Sequence, residues 1–256
     1  MAGKLKYGNW IRVKILLILG LGSLGLAIIG VLSRPAIVRI GAEILSVILF
    51  VSFLYPAYSY YAFSLWGGNL QEKVYDLILE NLGEGVSGNA LDIGTGNGIL
   101  AINLAQKFTR TEVVGVDYWG KNWEYSRLIC EENAKIAGVS GRVRFLKGNA
   151  AALDFPDSSF DAVVSNLTFH EVKSVQRKGE LVREALRLLK PGGSFAFIDY
   201  FYDSRYYGES AEFHIFLWSL GLSKVEFQPL GEMLAYPRLL RHPRALGKVG
   251  IVYGMK

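Results

Sequence analysis

Residues 90–100 read ALDIGTGNGIL: an apolar run carrying Asp92 passes through Gly94, Gly96 and Gly98 into a second apolar stretch. This is the pattern of a buried strand that turns on glycines into a helix. Such a turn lets a ligand approach main-chain N–H groups at a helix N-terminus, where partial positive charge gathers. The dinucleotide fingerprint GxGxxG would place its third glycine at Ile99, and the chain has GxGxG instead. Asp92 stands two residues before the first glycine. A carboxylate there repels a pyrophosphate and suits a ligand bearing an ammonium or a sulfonium, which favours S-adenosyl-L-methionine over NAD.

Around this stretch, apolar runs alternate with helical patterns. Strands are expected at 90–93, 113–117, 143–146, 160–165 and 194–199, with helices near 72–82, 99–108, 122–137 and 175–189. The last helix is expected to close at Pro191-Gly192-Gly193. Two further strands, at 225–228 and 249–253, are expected as a hairpin-like edge. The alternation predicts an α/β, Rossmann-like, seven-stranded and mainly parallel sheet with helices on both faces.

Asp117 ends the second expected strand, nineteen residues after Gly98, and a carboxylate there can accept both hydroxyls of a ribose. Tyr118 or Trp119 beside it would cover an adenine face. The third strand runs into Gly148-Asn149-Ala150, where an amide side chain and a main-chain N–H can meet the adenine edge. Three successive strand ends thus supply contacts for the three parts of one ligand.

Four segments, LDIGTGNG at 91–98, GVD at 115–117, GNAAALDFPDSSFDAVVSN at 148–166 and EALRLLKPGGSFAFID at 184–199, carry a wider resemblance. Over about residues 71–200 the chain resembles the class I S-adenosylmethionine-dependent methyltransferases, most closely their small-molecule and quinone-biosynthesis branch. The resemblance implies that Asp92, Gly94, Thr95, Gly96, Asn97 and Gly98 hold the methionine end. It assigns Asp117 to the ribose and Asn149 with Ala150 to the adenine; Tyr118 beside Asp117 and Asn166 at the end of the fourth strand are further expected donor-binding residues. The family usually has Asp where this chain has Asn149.

Methyl transfer from a sulfonium is an in-line displacement with an activated leaving group, and alignment alone can contribute about 7 to 11 kcal/mol. A base is optional. His170, after the fourth strand, is the candidate general base, its alternative role being a hydrogen bond to backbone at a helix start. Glu171 reads as a first-turn acid. Tyr200, with Asp199 and Tyr202 after the fifth strand, is expected to line the acceptor pocket. His170, His214 and His242 have no metal-ligand spacing, and Cys130 is the single cysteine, so no metal, disulfide or CxxC chemistry is expected.

The net charge of +5 arises at the ends of the chain. Residues 1–43 carry six cations against Glu43, and the basic, apolar stretch 231–248 holds Arg238, Arg241 and Arg244, so 44–230 is slightly acidic. That distribution argues against a nucleic-acid partner. The stretch 15–33, ILLILGLGSLGLAIIGVLS, is nineteen residues without a charge, about 28 Å as a helix at roughly 1.5 Å per residue. A second uncharged stretch, 44–71, ends in Tyr55, Tyr58, Tyr60, Tyr61 and Trp66, the residue types of an interfacial belt.

Membrane helices are therefore expected near 15–33 and 44–63, joined by about ten residues containing Arg34, Pro35, Arg39 and Glu43. They are expected to form a membrane hairpin over residues 1–66, either spanning the bilayer or lying shallowly in one leaflet, followed by a methyltransferase domain over 67–256. Four cations before Ile15 place both ends in the cytoplasm, giving a multi-pass membrane protein with a cytoplasmic catalytic domain, although Arg34 and Arg39 count against that orientation. A cleaved signal peptide and a buried soluble helix are the alternative readings of 15–33. The expected acceptor is a small molecule or lipid; the alternative function is a non-catalytic S-adenosylmethionine-binding module.

Overall fold

The computed structural model describes residues 4–120, 124–243 and 245–256. Two compact units divide the chain: Gly8–Glu72, and a second in which residues 4–7 join Lys73–Lys256. The boundary expected between 66 and 67 thus falls at 72, and residues 4–7 go with the larger unit because Lys6 is hydrogen-bonded to Asn97 and Asn133.

In the first unit, α1 (Val13–Leu32) and α2 (Ala36–Phe63) form a helical hairpin. Small residues let the helices approach: a Cβ on Gly22 would meet Leu49 at 3.1 Å, and one on Gly30 would meet Glu43 at 3.0 Å. At the centre, Ser23 Oγ donates to the Ser46 carbonyl at 2.9 Å and Ser46 Oγ donates to the Ser23 carbonyl at 2.8 Å. Both helices are long and apolar enough to cross a membrane, and 11% of each apolar window is buried. That exposure is not the pattern of a soluble core helix.

The connection differs from the expected ten residues. Helix α2 starts at Ala36, so Arg39 and Glu43 lie inside it and the turn is Ser33–Pro35. Pro35, with φ −64°, is suited to a helix start, and isolated charges do not end a helix that has no glycine cap or further proline nearby. Pro56 sits within α2, which continues to Phe63.

The second unit is built on a seven-stranded sheet. Its elements are α3 (Leu70–Glu80, whose first turn lies before the unit boundary), β1 (Gly88–Ile93), α4 (Ile99–Lys107), β2 (Thr111–Asp117), α5 (Arg127–Ile136), β3 (Val143–Lys147) and β4 (Phe160–Asn166). Then follow α6 (Gly179–Arg187), β5 (Leu189–Asp199), α7 (Ser204–Tyr207), α8 (Ser210–Trp218), β6 (Lys224–Pro229), α9 (Leu230–Met233) and β7 (Gly250–Met255). The order is β3-β2-β1-β4-β5-β7-β6, parallel except for β7, which is antiparallel to both β5 and β6.

The fully buried Leu91, Val163, Phe195, Phe197 and Phe201 occupy the core on and beside the central strands. Helix α4 is buried on most sides, whereas α6 buries the stripe Leu181, Val182, Ala185 and Leu186. Because parallel neighbours align their C-terminal ends, β1, β2, β3 and β4 deliver Ile93, Asp117, Lys147 and Asn166 to one edge of the sheet.

Three local expectations are corrected. Helix α6 begins at Gly179 rather than Val175, because the buried Lys178 ammonium donates to the carbonyls of Val172 and Val175 and holds that stretch as a loop. Pro191-Gly192-Gly193 falls inside β5, where the pairing with β4 shifts register between Phe160 and Ala162, rather than between helix and strand. Helix α5 begins at Arg127, capped by Ser126, whose hydroxyl accepts the Ile129 N–H; the expected start at Asn122 lies outside the described residues.

Candidate cofactor and acceptor site

The turn from β1 into α4 is a run of left-handed glycines, with φ of 78°, 57° and 82° at Gly94, Gly96 and Gly98. Their surroundings separate their roles. A Cβ on Gly94 would collide with Thr168, and one on Gly98 would lie 2.8 Å from the Phe145 ring, so these two allow close packing under the turn. Gly96 is the open tip, where a Cβ would meet only Tyr125, at 3.5 Å.

Asp92 lies beneath the turn, 1% exposed, and accepts the Thr95 hydroxyl at 2.6 Å. Burial pushes its carboxyl up to about 7, against the lowering by Thr95 and with a further rise from Asp117. Asp117, at the end of β2, has both oxygens engaged: Oδ2 accepts the Gly96 N–H at 2.9 Å and Oδ1 accepts the Trp119 N–H at 2.7 Å. Its pKa is also raised by burial, although those N–H groups lower it. The Trp119 indole N–H then donates to the Gly96 carbonyl at 2.9 Å. These bonds hold Trp119 at φ 44°, an unfavourable backbone for a bulky residue.

Tyr118 is 66% exposed, with the Lys147 ammonium 5.3 Å from its ring centre. Asn149 is exposed and accepts the Ala151 N–H through its own side chain, and Ala150 beside it is half-buried. Asn166 ends β4, and its side-chain oxygen is buried with no hydrogen-bond partner. Asn97 likewise has a buried, unpartnered Oδ1.

The same sheet edge carries a second cluster. Residues 169–171, which follow β4 after Leu167 and Thr168, form a single 3-10 turn. His170 Nδ1 lies 2.7 Å from Asp199 Oδ1, and the His170 main-chain N–H donates to Asp199 Oδ2 at 3.1 Å. Asp199, at the end of β5, also accepts the Tyr200 N–H at 2.6 Å and is fully buried. The other ring nitrogen of His170 is 3.6 Å from Glu171. Burial alone would lower the His170 pKa, but the charge and hydrogen bond of Asp199, with Glu171, raise it overall. Tyr200 and Tyr206 stand beside the imidazole, with ring centres at 4.7 and 5.9 Å.

Residues 91–197 match the family model described as a methyltransferase domain. Residues 91–197 thus carry a methyltransferase domain. The chain is 34% identical over 123 residues to a sterol 24-C-methyltransferase of Neurospora crassa, a match covering 48% of this chain and 30% of that protein. It is 32% identical over 130 residues to a demethylmenaquinone methyltransferase of Thermus thermophilus, covering 51% of this chain and 53% of that one. The chain thus spans about half or less of these relatives. The YcgJ structure from Bacillus subtilis superposes over 72% of this chain and 98% of its own with a TM-score of 0.51 at 20% identity, which shows the shared fold.

The residues of the methyltransferase domain fit its donor. A buried carboxylate held near neutrality suits an added cation, and the orphaned oxygens of Asn97 and Asn166 suit added donors. S-adenosylmethionine, when bound, supplies an electrophilic methyl on a sulfonium. Sequence reasoning missed several residues that shape the site. Thr168 packs over Gly94; Cys130 donates its thiol to the Gly96 carbonyl at 3.1 Å; Lys6 and Asn133 reach the glycine turn from distant parts of the chain. Only their three-dimensional placement reveals them, since each sits in an unremarkable sequence context. Among the described residues, no cluster of His, Cys, Asp or Glu could hold a metal ion.

Proposed function

We propose that the chain is a membrane-anchored methyltransferase that transfers the methyl group of S-adenosylmethionine to a small, lipophilic acceptor. Asp92, Asp117 and the glycine turn hold the donor. Asn166 meets its methionine end, Tyr118, Asn149 and Ala150 its adenosine, and α1 and α2 engage the bilayer. His170 removes a proton from the acceptor, and Tyr200 forms one wall of the acceptor pocket.

One observation carries the catalytic part of the reading: the Asp92–Asp117 pair and the His170–Asp199 pair belong to the same C-terminal edge of β1, β2, β4 and β5. Asp199 takes up both the ring and main-chain N–H of His170, which fixes the tautomer and leaves the other ring nitrogen as the proton acceptor. The apolar exposure of α1 and α2 supports the anchor, and an anchored domain meets membrane-dissolved acceptors at high effective concentration. The relatives named above act, by their names, on a sterol and on a demethylmenaquinone, both lipophilic.

The test uses the full chain in lipid nanodiscs. Calorimetric titration with S-adenosylmethionine, S-adenosylhomocysteine and NAD should show binding of the first two alone, lost in Asp117→Ala. Labelled methyl donor incubated with lipid extracts should then transfer label to a lipid-soluble product. Binding without transfer to any acceptor would favour a donor-binding module. Absence of donor binding would remove the enzymatic reading. Release of the chain from membranes by alkaline carbonate would remove the anchor.

A further inference from the structure

We propose that residues 4–7 are a strap that sets the shape of the donor-binding turn, with Asn133 as the positioning residue that ties the two together. This rests on the reading of the glycine turn as a donor site. Lys6 enters the methyltransferase unit through its main chain. Its N–H donates to Asn133 Oδ1 at 2.8 Å, and its carbonyl accepts from Asn133 Nδ2 at 3.1 Å and from Asn97 Nδ2 at 3.3 Å. Asn133 Nδ2 also donates to the Asn97 carbonyl at 3.0 Å.

The amide of Asn133 is fully buried in α5, and all of its polar atoms are committed to these two residues. A single buried amide therefore reads two main chains at once, one of them the GxGxG turn itself. Asn97 gains its orientation by the same contacts, because its Nδ2 is spent on Lys6 while its buried Oδ1 remains without a partner. An oxygen aimed in this way is available to a ligand donor, and removing the strap frees it to rotate. The Lys6 side chain contributes little: its ion pair with Glu132, at 2.7 Å, is half-exposed and screened. What matters at position 6 is the peptide group.

The strap is followed in the sequence by Gly8, the first residue of the unit that contains the two apolar helices. Donor binding thus depends on chain that lies about ninety residues before the glycine turn in sequence.

Lys6→Pro deletes the N–H at position 6 while leaving every buried side chain intact. In the full chain, donor affinity by calorimetry should fall about fivefold or more, the equivalent of one hydrogen bond. Hydrogen exchange at the amides of Gly96, Asn97 and Gly98 should accelerate, a readout that needs no ligand. Glu132→Ala, which removes only the surface ion pair, should change neither. Asn133→Asp keeps the acceptor and loses both donated bonds, and should weaken binding further; its melting temperature identifies any loss of folding. Unchanged exchange and unchanged donor affinity in Lys6→Pro would overturn the strap. Faster exchange in a protein that binds no donor at all would leave the strap standing and overturn the donor site instead.

Discussion

The ring of His170 and the carboxylate of Asp199 are joined at 2.7 Å although they stand twenty-nine residues apart, one in the turn that follows β4 and the other at the end of the adjacent parallel β5. The carboxylate also accepts the His170 main-chain N–H, so the contact fixes both the position and the tautomer of the imidazole.

Replacing that carboxylate by an amide should expose the effect of burial. In Asp199→Asn the His170 pKa falls, because desolvation, the largest influence on this ring, then acts with less opposition. The acid limb of the kcat/KM profile should move to lower pH while the maximal rate drops. His170→Ala should lower kcat by about 10² or more if the ring removes the proton, with donor affinity by calorimetry near that of the parent. A profile unmoved by Asp199→Asn would remove His170 from the chemistry.

The same pair has a stability signature. A histidine whose folded pKa is raised contributes stability that is complete below its unfolded value near 6.5 and is lost as pH rises through the folded value. The stability deficit of Asp199→Asn, measured by urea unfolding, should be largest near pH 6 and shrink toward pH 8.

Asp92 titrates with the same sign in the ligand-free protein. Its folded pKa of about 7 exceeds the ordinary 3.8, so the folded state holds a proton that the unfolded state releases. Its contribution to stability therefore falls as pH rises from about 4 to about 7. A bound cation compensates the ionised carboxylate, so the rise in melting temperature produced by S-adenosylmethionine should grow between pH 6 and pH 8. In Asp92→Asn that growth should disappear.

Gly94→Ala should be far more damaging than Gly96→Ala. The added methyl at 94 meets Thr168, whereas at 96 it finds Tyr125 at van der Waals distance; both carry the left-handed backbone penalty of about 1 to 2 kcal/mol. Thermal melting should show a large loss for the first variant and a modest one for the second.

In the helical hairpin, the Ser23–Ser46 exchange of hydroxyl-to-carbonyl bonds should behave as one coupled unit. Ser23→Ala and Ser46→Ala should each lower stability in detergent by about 0.6 to 1.7 kcal/mol, and the double variant should cost less than their sum.

The positions of most strands and the glycine turn were legible in the sequence because runs such as TEVVGVD and FDAVVSN are short and apolar, and Gly94, Gly96 and Gly98 interrupt the pattern between β1 and α4. Asp92 and Asp117 were legible because strand ends announce themselves by a change of residue type. Helix α8 was not anticipated: SAEFHIFLW is apolar on too many sides to show a helical stripe, since Phe213 and Leu217 are buried while Ile215 and Trp218 are exposed. The start of α2 was missed because Arg39 and Glu43 look like loop residues, and only the proline before them marks the true boundary. The pairing of His170 with Asp199 was beyond a one-dimensional reading, because it depends on the register of β4 against β5.

Trp119 spans the glycine turn with its indole N–H on the Gly96 carbonyl, and its own N–H rests on the Asp117 carboxylate proposed to receive a ribose. Occupancy of that carboxylate changes the electric environment of a fluorophore hydrogen-bonded to it through its own main-chain N–H at 2.7 Å, so the protein carries its own optical gauge. Emission quenched or shifted on adding S-adenosylhomocysteine, and silent in Trp119→Phe, would let donor occupancy be followed in intact membranes without any label.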